Sequence, residues 1–455
     1  AELARGKLQE RGGDTKRLKT IALGASVTAG PFTVRYVTLT HSIPEPNALA
    51  IETPAGTILH TGDWKIDPEP LIGARTDIEG LTALGDRGVL AMVCDSTNVF
   101  ESGESGSEDT VRQGLIDLIG KQTGAVAVTT FASNVARVKS IIEAGKRAGR
   151  EVCLVGRSMH KITGAAKAVG ILPPNLEFID ESEAGYLPPE NILYLCTGSQ
   201  GEPNAALTRI ARGDHRNVVL REDDTVIFSS RLIPGNESSV YALQNSLAEQ
   251  GIRIITPRMV DEPIHVSGHP CRDELRRMYQ WVRPRVSVPV HGERRHIVEH
   301  AAFARSLQVQ SALTPRNGSL IRLAPGEPEI VDEVPAGRLM LDGSKLVPEA
   351  AEGLIQRRRL SVSGVILATL CLDSSGEIID GPVIAVKGLS ESDGRIADES
   401  LEPLDEAAMR ALEGIKRRDR SDDEVVEKIV GRALRKACDA EFGIKPLIEV
   451  IVLRS

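Results

Sequence analysis

Residues 89–98 read VLAMVCDSTN, an apolar run that ends in a polar cluster. The same arrangement recurs down the chain, in AVAVTTFASN (125–134), EVCLVGRSM (151–159), ILYLCTGSQGE (192–202), TVIFSSRLIPGNE (225–237) and VSVPVHGE (286–293). Amphipathic segments with apolar residues three and four positions apart separate these runs, as in residues 134–148 and 237–250. Alternating strands and helices of this kind predict βα units around a largely parallel sheet.

The polar clusters indicate where a ligand would bind. In open α/β sheets, ligands bind in the crevice beyond the carboxyl ends of the strands. A polar cluster at several successive strand ends is harder to explain by packing than any single motif. The sequence therefore predicts a functional site at this edge of the sheet.

The segments on either side of this region have different patterns. Residues 32–61 are dense in β-branched residues and predict an antiparallel or mixed sheet. After Glu333, the stretch VPAGRLMLDGSKLVPEAAEG contains Pro and Gly and is interpreted as a linker. The rest of the chain is predicted to form a small α/β unit, with strands at 361–372, 382–388 and 446–453 and a helix at about 424–441.

The composition limits the classes of protein that fit the chain. At 455 residues it is long enough for more than one domain, since a single hydrophobic core rarely grows beyond roughly 250 to 300 residues. A net charge of −8 argues against a protein that coats nucleic acid through bulk positive charge. A local basic channel is still compatible with it, and the candidate patches are residues 272–285, 357–359 and 416–420.

The sequence shows no sign of a membrane span or of export. Its apolar runs fall short of the roughly 18 residues that a spanning helix needs. The polar first residues lack the basic start and apolar middle of a secretory signal. The cysteines are scattered and form no CxxC pair. These features predict a cytoplasmic protein without a membrane partner.

Three residues stand where a metal ligand is expected. His41 and Asp63 each follow a predicted strand, and His291 ends the strand VSVPV. A sheet fixes the backbone at such a position while the side chain projects into the crevice. Each histidine alone is more simply explained as a structural, hydrogen-bonded residue. The three strand-end settings together favour a metal site.

Nine short motifs follow one another over nearly the whole chain, namely THSIPEPN, TGDWK, CDSTN, TTFASN, GRSM, TGSQGEP, SSRLIPGNE, HVSGH and PVHGE. This succession resembles the ribonuclease J family, in the β-CASP branch of the metallo-β-lactamase superfamily. The resemblance implies an α/β fold, with a metallo-β-lactamase αββα sandwich that is incomplete at its N-terminus. A parallel β-CASP α/β domain would be inserted into this sandwich. The implied ranges are 1–110 and 270–338 for the sandwich, 111–269 for the insertion, 339–356 for a linker and 357–455 for a small C-terminal α/β domain.

The resemblance also assigns roles to individual residues. It makes His41 a ligand of one metal ion, Asp63 a carboxylate that bridges two ions, and His291 a ligand of the second ion. Asp95 would be an acid that orients a ligand, and His269 would face the scissile phosphate and stabilise charge or protonate the departing 3′ oxygen. The implied cofactor is two Zn²⁺ per subunit, with Mn²⁺ or Mg²⁺ as alternatives. Without the resemblance, Asp95 would be read as a cap and His269 as a loop residue.

The implied activity is hydrolysis of single-stranded RNA in RNA decay and maturation. The enzyme would act from the 5′ end, favour a 5′ monophosphate and also cut internally. Its RNA path is expected to include Arg157, Ser158, Ser229, Ser230, Arg231, His265, Ser267 and Gly268, because hydroxyls, backbone N–H groups and arginine bind phosphate without reading sequence. The expected partners are a second copy of the chain, as a homodimer or homotetramer through the C-terminal domain, and an RNA-degradation complex.

The chain departs from the family pattern in one respect. The family's HxHxDH motif, which supplies further metal ligands, should precede His41, and the sequence contains no such string. Because the sequence begins at Ala1 and not at methionine, we expect the motif in residues before Ala1. The alternative is a relative of the same fold that binds RNA as a scaffold without cutting it.

A second alternative is a zinc peptidase. Residues 296–300 spell HIVEH, which fits the HxxEH pattern, in which two histidines four positions apart on a helix share a metal and the glutamate serves as base. Five-residue strings recur by chance, and His291 just upstream already has a better explanation.

Overall fold

The computed structural model describes residues 1–389 and 401–455, which divide into two compact units. The first unit is Ala1–Val334 and the second is Pro335–Ser455. The first unit contains two large sheets, each with its own core. The domain boundaries predicted within it stay predictions.

The first large sheet has seven strands in the order β1-β2-β3-β4-β5-β11-β12. The strands are β1 (Ser26–Ala29), β2 (Phe32–Thr38), β3 (Asn47–Thr53), β4 (Gly56–His60), β5 (Ala91–Asp95), β11 (Val286–Val290) and β12 (Ser311–Ala312). β1 to β4 pair antiparallel, and the pairs from β4 to β12 are parallel. The mixed sheet expected from the β-branched segment is confirmed.

Helices flank this sheet, and some of them bury the apolar side chains of its core. They are α2 (Ile78–Arg87), α9 (Arg272–Val282) and α10 (Arg294–Ser306). The N-terminal helix α1 (Glu2–Glu10) has no buried residues and contacts a helix of the other large sheet. The core joins strand residues such as Leu59 and Met92 to helix residues such as Leu81 and Met278. α9 is amphipathic, with Leu275, Met278 and Val282 inward and several arginines outward.

The second large sheet is fully parallel, in the order β10-β9-β6-β8-β7. Its strands are β6 (Val126–Thr129), β7 (Glu151–Val155), β8 (Ile192–Cys196), β9 (Thr225–Phe228) and β10 (Arg253–Ile255). The helices around it are α3 (Glu108–Gly120), α4 (Val135–Arg147), α5 (Arg157–Ala168), α6 (Glu181–Ala184), α7 (Ala206–Ala211) and α8 (Glu237–Glu249). Apolar cores cover both faces, so strands such as β8 are buried throughout. The predicted alternation of strands and helices is confirmed.

The first unit ends with a hairpin, β13 (Ser319–Arg322) and β14 (Glu329–Glu333). The second unit begins with another hairpin, β15 (Leu339–Asp342) and β16 (Lys345–Pro348), inside the stretch interpreted as a linker. The two-residue loop Gly343–Ser344 explains this difference, because a two-residue loop with glycine at its first position is a signal for a β-hairpin. The glycine adopts the positive φ that the turn requires.

The rest of the second unit is a three-stranded sheet with helices. It comprises α11 (Glu352–Ser363), β17 (Val365–Leu372), β18 (Ile378–Lys387), α12 (Glu402–Glu413), α13 (Asp423–Phe442) and β19 (Leu447–Arg454), with sheet order β18-β17-β19. Alternate residues of β17 are buried against α12 and α13, and the others line the opposite face. No helix in the described residues combines the length and apolarity that crossing a bilayer requires.

Candidate metal centre

Four side chains meet at the carboxyl edge of the seven-stranded sheet. Asp63, Asp95, His269 and His291 each offer one ligand atom, and these atoms all lie within 4.8 Å of one another. We call these four residues the metal group. Asp63 follows β4, Asp95 ends β5 and His291 follows β11. β4, β5 and β11 are parallel neighbours, so their carboxyl ends lie side by side. The sheet itself therefore gathers Asp63, Asp95 and His291, as the strand-end argument predicts, and His269 joins them from the loop before α9.

Asp95 is buried beneath the two imidazoles. Its Oδ2 lies 2.6 Å from His269 Nδ1, and its Oδ1 lies 3.3 Å from His291 Nδ1. Thr97 donates to Oδ1 through its backbone N–H and its hydroxyl. Burial alone would raise the pKa of Asp95, but the bonds with the two histidines outweigh burial and hold that pKa well below its ordinary value. Asp95 is therefore an anion that orients both rings and leaves each Nε2 facing away from it.

His291 is held in a strained conformation beside Asp63. Its φ is +57°, in the left-handed region that non-glycine residues seldom occupy. Its Nδ1 lies 2.8 Å from Thr97 Oγ1, and its Nε2 lies 3.7 Å from Asp63 Oδ1. The hydrogen bond with Asp95 raises the pKa of His291 above its ordinary value. Backbone strain of this kind persists where the surroundings fix a residue for a function.

His41 lies next to the four-residue group. Its ring centroid is 5.2 Å from that of His269, and its Nδ1 is 2.5 Å from the carbonyl oxygen of Gly268. Burial lowers the pKa of His41 below its ordinary value. A Cβ at Gly268 would lie 2.7 Å from His41 Cε1, so a glycine is needed for this close approach. His41, Asp63 and His291 thus surround one region, and their individual roles stay predictions.

The donor set fits a metal ion. Imidazole nitrogen and carboxylate oxygen are ligands that zinc accepts. In His41, His269 and His291 a hydrogen bond holds Nδ1, and in the described part of the chain none holds Nε2. Orientation of one ring nitrogen by a carboxylate or carbonyl is the arrangement found around metal-binding histidines.

Asn98 joins the metal group to the predicted RNA path, and sequence reasoning gave it no role. Its Nδ2 donates to Ser267 Oγ at 2.8 Å and to the carbonyl of His269 at 2.9 Å. Its Oδ1 accepts from Arg231 Nη1 at 3.2 Å, and the other Nη of Arg231 is 2.8 Å from Glu101. The residue had been quoted within CDSTN, but a short polar motif does not show which distant segments its members bridge.

Other residues of the predicted RNA path are either buried or lie on the separate helix α5. Ser229 is buried, donates to the carbonyl of Ile264 and accepts from Arg137, so a phosphate contact by Ser229 requires these bonds to break. Ser230 is also buried. Arg157 and Ser158 begin α5, and in the described residues no side-chain hydrogen bond joins them to the metal group. Their RNA contacts stay predictions.

A buried ionic network was not foreseen from the sequence. The Arg137 guanidinium, 0% exposed, makes two 2.9 Å bonds to the Glu108 carboxylate. It also donates to the carbonyl of Ile264 and contacts His265 Nδ1 at 3.4 Å. Burial, with Arg137 nearby, lowers the pKa of His265 to about 3, so this ring is neutral. The network fixes the segment that leads to His269.

The peptidase alternative fails at His300. Its Nδ1 is 2.8 Å from Ser96 Oγ and its Nε2 is 2.9 Å from the Tyr279 hydroxyl, deep in the core. No ring nitrogen of His300 is left for a metal. HIVEH is therefore a structural feature of α10.

The same histidine predicts a pH dependence of stability. Burial lowers the pKa of His300 to about 4 from its ordinary 6.5, so the unfolded chain binds a proton there before the folded chain does. Its contribution to the free energy of unfolding is therefore present above pH 6.5 and is lost as pH falls toward 4. We expect the urea midpoint to fall more between about pH 7 and about pH 5 in the natural protein than in His300→Gln. Equal falls in both proteins would contradict this role.

Comparisons with known proteins agree with the geometry. The family model "Ribonuclease J, beta-CASP domain" matches residues 123–247, "Zn-dependent metallo-hydrolase RNA specificity domain" matches 259–311, and "Ribonuclease J C-terminal domain" matches 353–455.

Curated relatives match over most of the chain. The protein named Ribonuclease J of Sinorhizobium meliloti is 44% identical over 432 residues, which cover 95% of this chain and 76% of the relative. Ribonuclease J of Mycolicibacterium smegmatis is 37% identical, with 93% and 75% covered. Ribonuclease J 1 of Streptococcus pyogenes is 36% identical, with 99% and 80% covered.

Proposed function

The chain belongs to the ribonuclease J family, with its metallo-β-lactamase fold and β-CASP insertion, and we propose that it hydrolyses phosphodiester bonds of single-stranded RNA with bound metal ions. The observation that carries the proposal is the meeting of Asp63, Asp95, His269 and His291 at one sheet edge. We propose two Zn²⁺ as the natural ions, with Mn²⁺ or Mg²⁺ as alternatives. His41, Asp63 and His291 would hold them, together with ligands from the family's HxHxDH motif.

The bound ions would supply an activated water near neutral pH and would neutralise charge on the phosphate. The protein side chains hold the other groups in place. Asp95 contacts Nδ1 of His269 and of His291, which leaves Nε2 of each ring for substrate or metal. His269, held in this way, would face the scissile phosphate and either stabilise the charge that develops there or pass a proton from Nε2 to the departing 3′ oxygen. Asn98 holds the backbone of His269 in position for this transfer.

The proposal is tested by comparing two nucleic acids of one sequence. Full-length protein stripped with EDTA and resupplied with Zn²⁺, Mn²⁺ or Mg²⁺ is expected to cleave single-stranded RNA and to leave 5′ phosphates. Cleavage of the matching DNA is expected to be at least about tenfold slower, a difference of about 1.4 kcal/mol in activation free energy. Protein that binds RNA but cleaves it with none of these ions would be a scaffold, contrary to the proposal.

We also propose that the enzyme works from the 5′ end, prefers a 5′ monophosphate and cuts internally as well. Ser267 supports the phosphate preference. Its Oγ accepts bonds from Asn98 and from the backbone of His269, and among the described residues its own hydrogen has no acceptor. A hydroxyl fixed in this way is ready to donate to a phosphate oxygen beside the metal group.

The Ser267→Ala variant tests this preference. We expect kcat/KM on 5′-monophosphorylated RNA to fall about tenfold more than on 5′-hydroxyl RNA, since one hydrogen bond to a charged group contributes about 1.5 kcal/mol. Ser182→Ala, at an exposed serine on α6, serves as the control. Equal losses on both RNAs would remove the phosphate assignment.

We further propose self-association, as a homodimer or homotetramer, through the second unit. The face of its sheet opposite α12 and α13 carries the exposed apolar residues Leu367, Val383, Ile451 and Leu453. An apolar sheet face of this kind is typical of a surface that another chain covers.

A further inference from the structure

An exposed aromatic ring lies on the segment that follows Asp95. Phe100 is 48% exposed in a chain with only 3% aromatic residues. It lies on the turn after β5, two residues beyond Asn98. Three other aromatic side chains are exposed in the described residues, namely Phe32 at the start of β2, Tyr186 after α6 and Tyr241 on α8.

The turn that carries Phe100 is rigid. Val99 is 0% exposed, and its N–H donates to the carbonyl of Ser96. The N–H of Glu101 donates to the carbonyl of Asn98, and the carbonyl of Glu101 accepts from the N–H of Arg272. Both neighbours of Phe100 are therefore anchored. The exposure of its ring results from a fixed backbone that directs it outward.

His296 and Arg295 complete the surface. The His296 ring meets the Phe100 ring edge-on, with centroids 5.3 Å apart, and Arg295 Cζ lies 5.6 Å from the Phe100 centroid. His296 is fixed because its Nδ1 accepts from the N–H of Glu293. It also packs on Gly292, the residue after His291, where an added Cβ would lie 2.8 Å from His296 Cβ. The three side chains, which we call the Phe100 platform, therefore lie on the two segments that follow Asp95 and His291.

We propose that the Phe100 platform stacks one nucleobase of the RNA next to the scissile phosphate. This inference rests on the proposed function, because the base belongs to the RNA substrate. Aromatic rings and guanidinium planes are the groups on which unpaired bases stack, and stacking tolerates any sequence. The base replaces the Arg295 guanidinium on the ring, and Arg295 turns to the phosphate beside that base. Asn98, on the same turn, bonds to Ser267 and Arg231. The turn thus connects the side chains proposed to bind phosphate with the ring proposed to stack on a base.

Stacking is measured without metal, on RNA that is not cleaved. Short oligoribonucleotides carry 2-aminopurine, a base whose fluorescence is quenched by stacking, at successive positions. With full-length protein in EDTA, we expect one position to be quenched on binding. Phe100→Leu keeps apolar volume but removes the ring, so it should restore the fluorescence at that position and weaken binding about tenfold. Phe100→Trp should retain both the quenching and the affinity.

Phe32→Ala is the matched control, since Phe32 is 44% exposed at the start of β2. It should change neither fluorescence nor affinity. Quenching that persists in Phe100→Leu, or an equal loss of affinity in Phe32→Ala, would overturn the platform. Because nothing is hydrolysed, this result is independent of whether the protein cleaves RNA.

Discussion

Replacing Asp63 with asparagine is expected to lower kcat/KM for RNA cleavage on the order of 1000-fold, equivalent to about 4 kcal/mol of transition-state stabilisation. Asp63 contributes a carboxylate oxygen 3.7 Å from His291 Nε2, at the centre of the candidate metal group. The amide keeps the shape of the side chain but removes its charge, and a metal site that loses an anionic ligand binds its ion less tightly. The bound metal, measured by mass spectrometry, should fall with the activity.

The control for this variant is Asp86→Asn. Asp86 is an exposed aspartate that pairs with Arg283 at the end of α2, away from the carboxyl edge. It should retain both metal and activity, and both variants should melt as the natural protein does. An Asp63→Asn protein that keeps its metal and cleaves RNA at the natural rate would refute the assignment.

Replacing Arg137 with methionine is expected to reduce the free energy of unfolding by about 3 to 5 kcal/mol, because Glu108 is left as a buried charge without its partner. Burial tends to raise the pKa of Glu108, but Arg137 outweighs this effect and keeps that pKa below its ordinary value. The loss should lower the melting temperature on the order of 10 °C. Adding Glu108→Gln should recover part of the loss, since it removes the unpaired charge.

Arg112→Met provides the matched comparison. Arg112 lies on α3 and pairs with Asp109 and Glu143, but these side chains are a quarter to a third exposed. Pairs of this kind contribute about 0 to 1 kcal/mol. If both arginine variants destabilise the protein equally, the buried network does not have the role given to it here.

The fold could be predicted from the sequence where the pattern is local. Buried parallel strands read as apolar runs, and the amphipathic segments predicted α4 and α8 to within a residue or two. The gathering of His41, Asp63 and His291 was expected from their strand-end positions, and the addition of Asp95 and His269 was expected from the family resemblance. The pairing of β4, β5 and β11 brings together Asp63, Asp95 and His291, whereas His41 follows β2 and His269 comes from the loop before α9.

Contacts between distant segments could not be predicted. Asn98 bridges Ser267 and Arg231, and Arg137 reaches Glu108 and the carbonyl of Ile264, across 29 to 169 residues of chain. A buried arginine and an exposed one look alike in a sequence, because burial depends on which helices pack together. The hairpin at 339–348 is a different case, because its Gly-Ser loop is a local signal that the linker interpretation left out.

β5 and β11 are paired strands, and their register places Asp95 opposite Val290. In the amino-acid sequence, all five strands of the parallel sheet lie between these two strands. During synthesis a chain emerges from the ribosome N-terminus first, and domains tend to fold in that order. Asp63 and Asp95 are therefore made long before the histidine that completes their group. The nascent protein can therefore fold the five-stranded parallel sheet before this group can bind a metal ion. The proposed cleavage of RNA becomes possible only after β11 has been translated and has paired with β5.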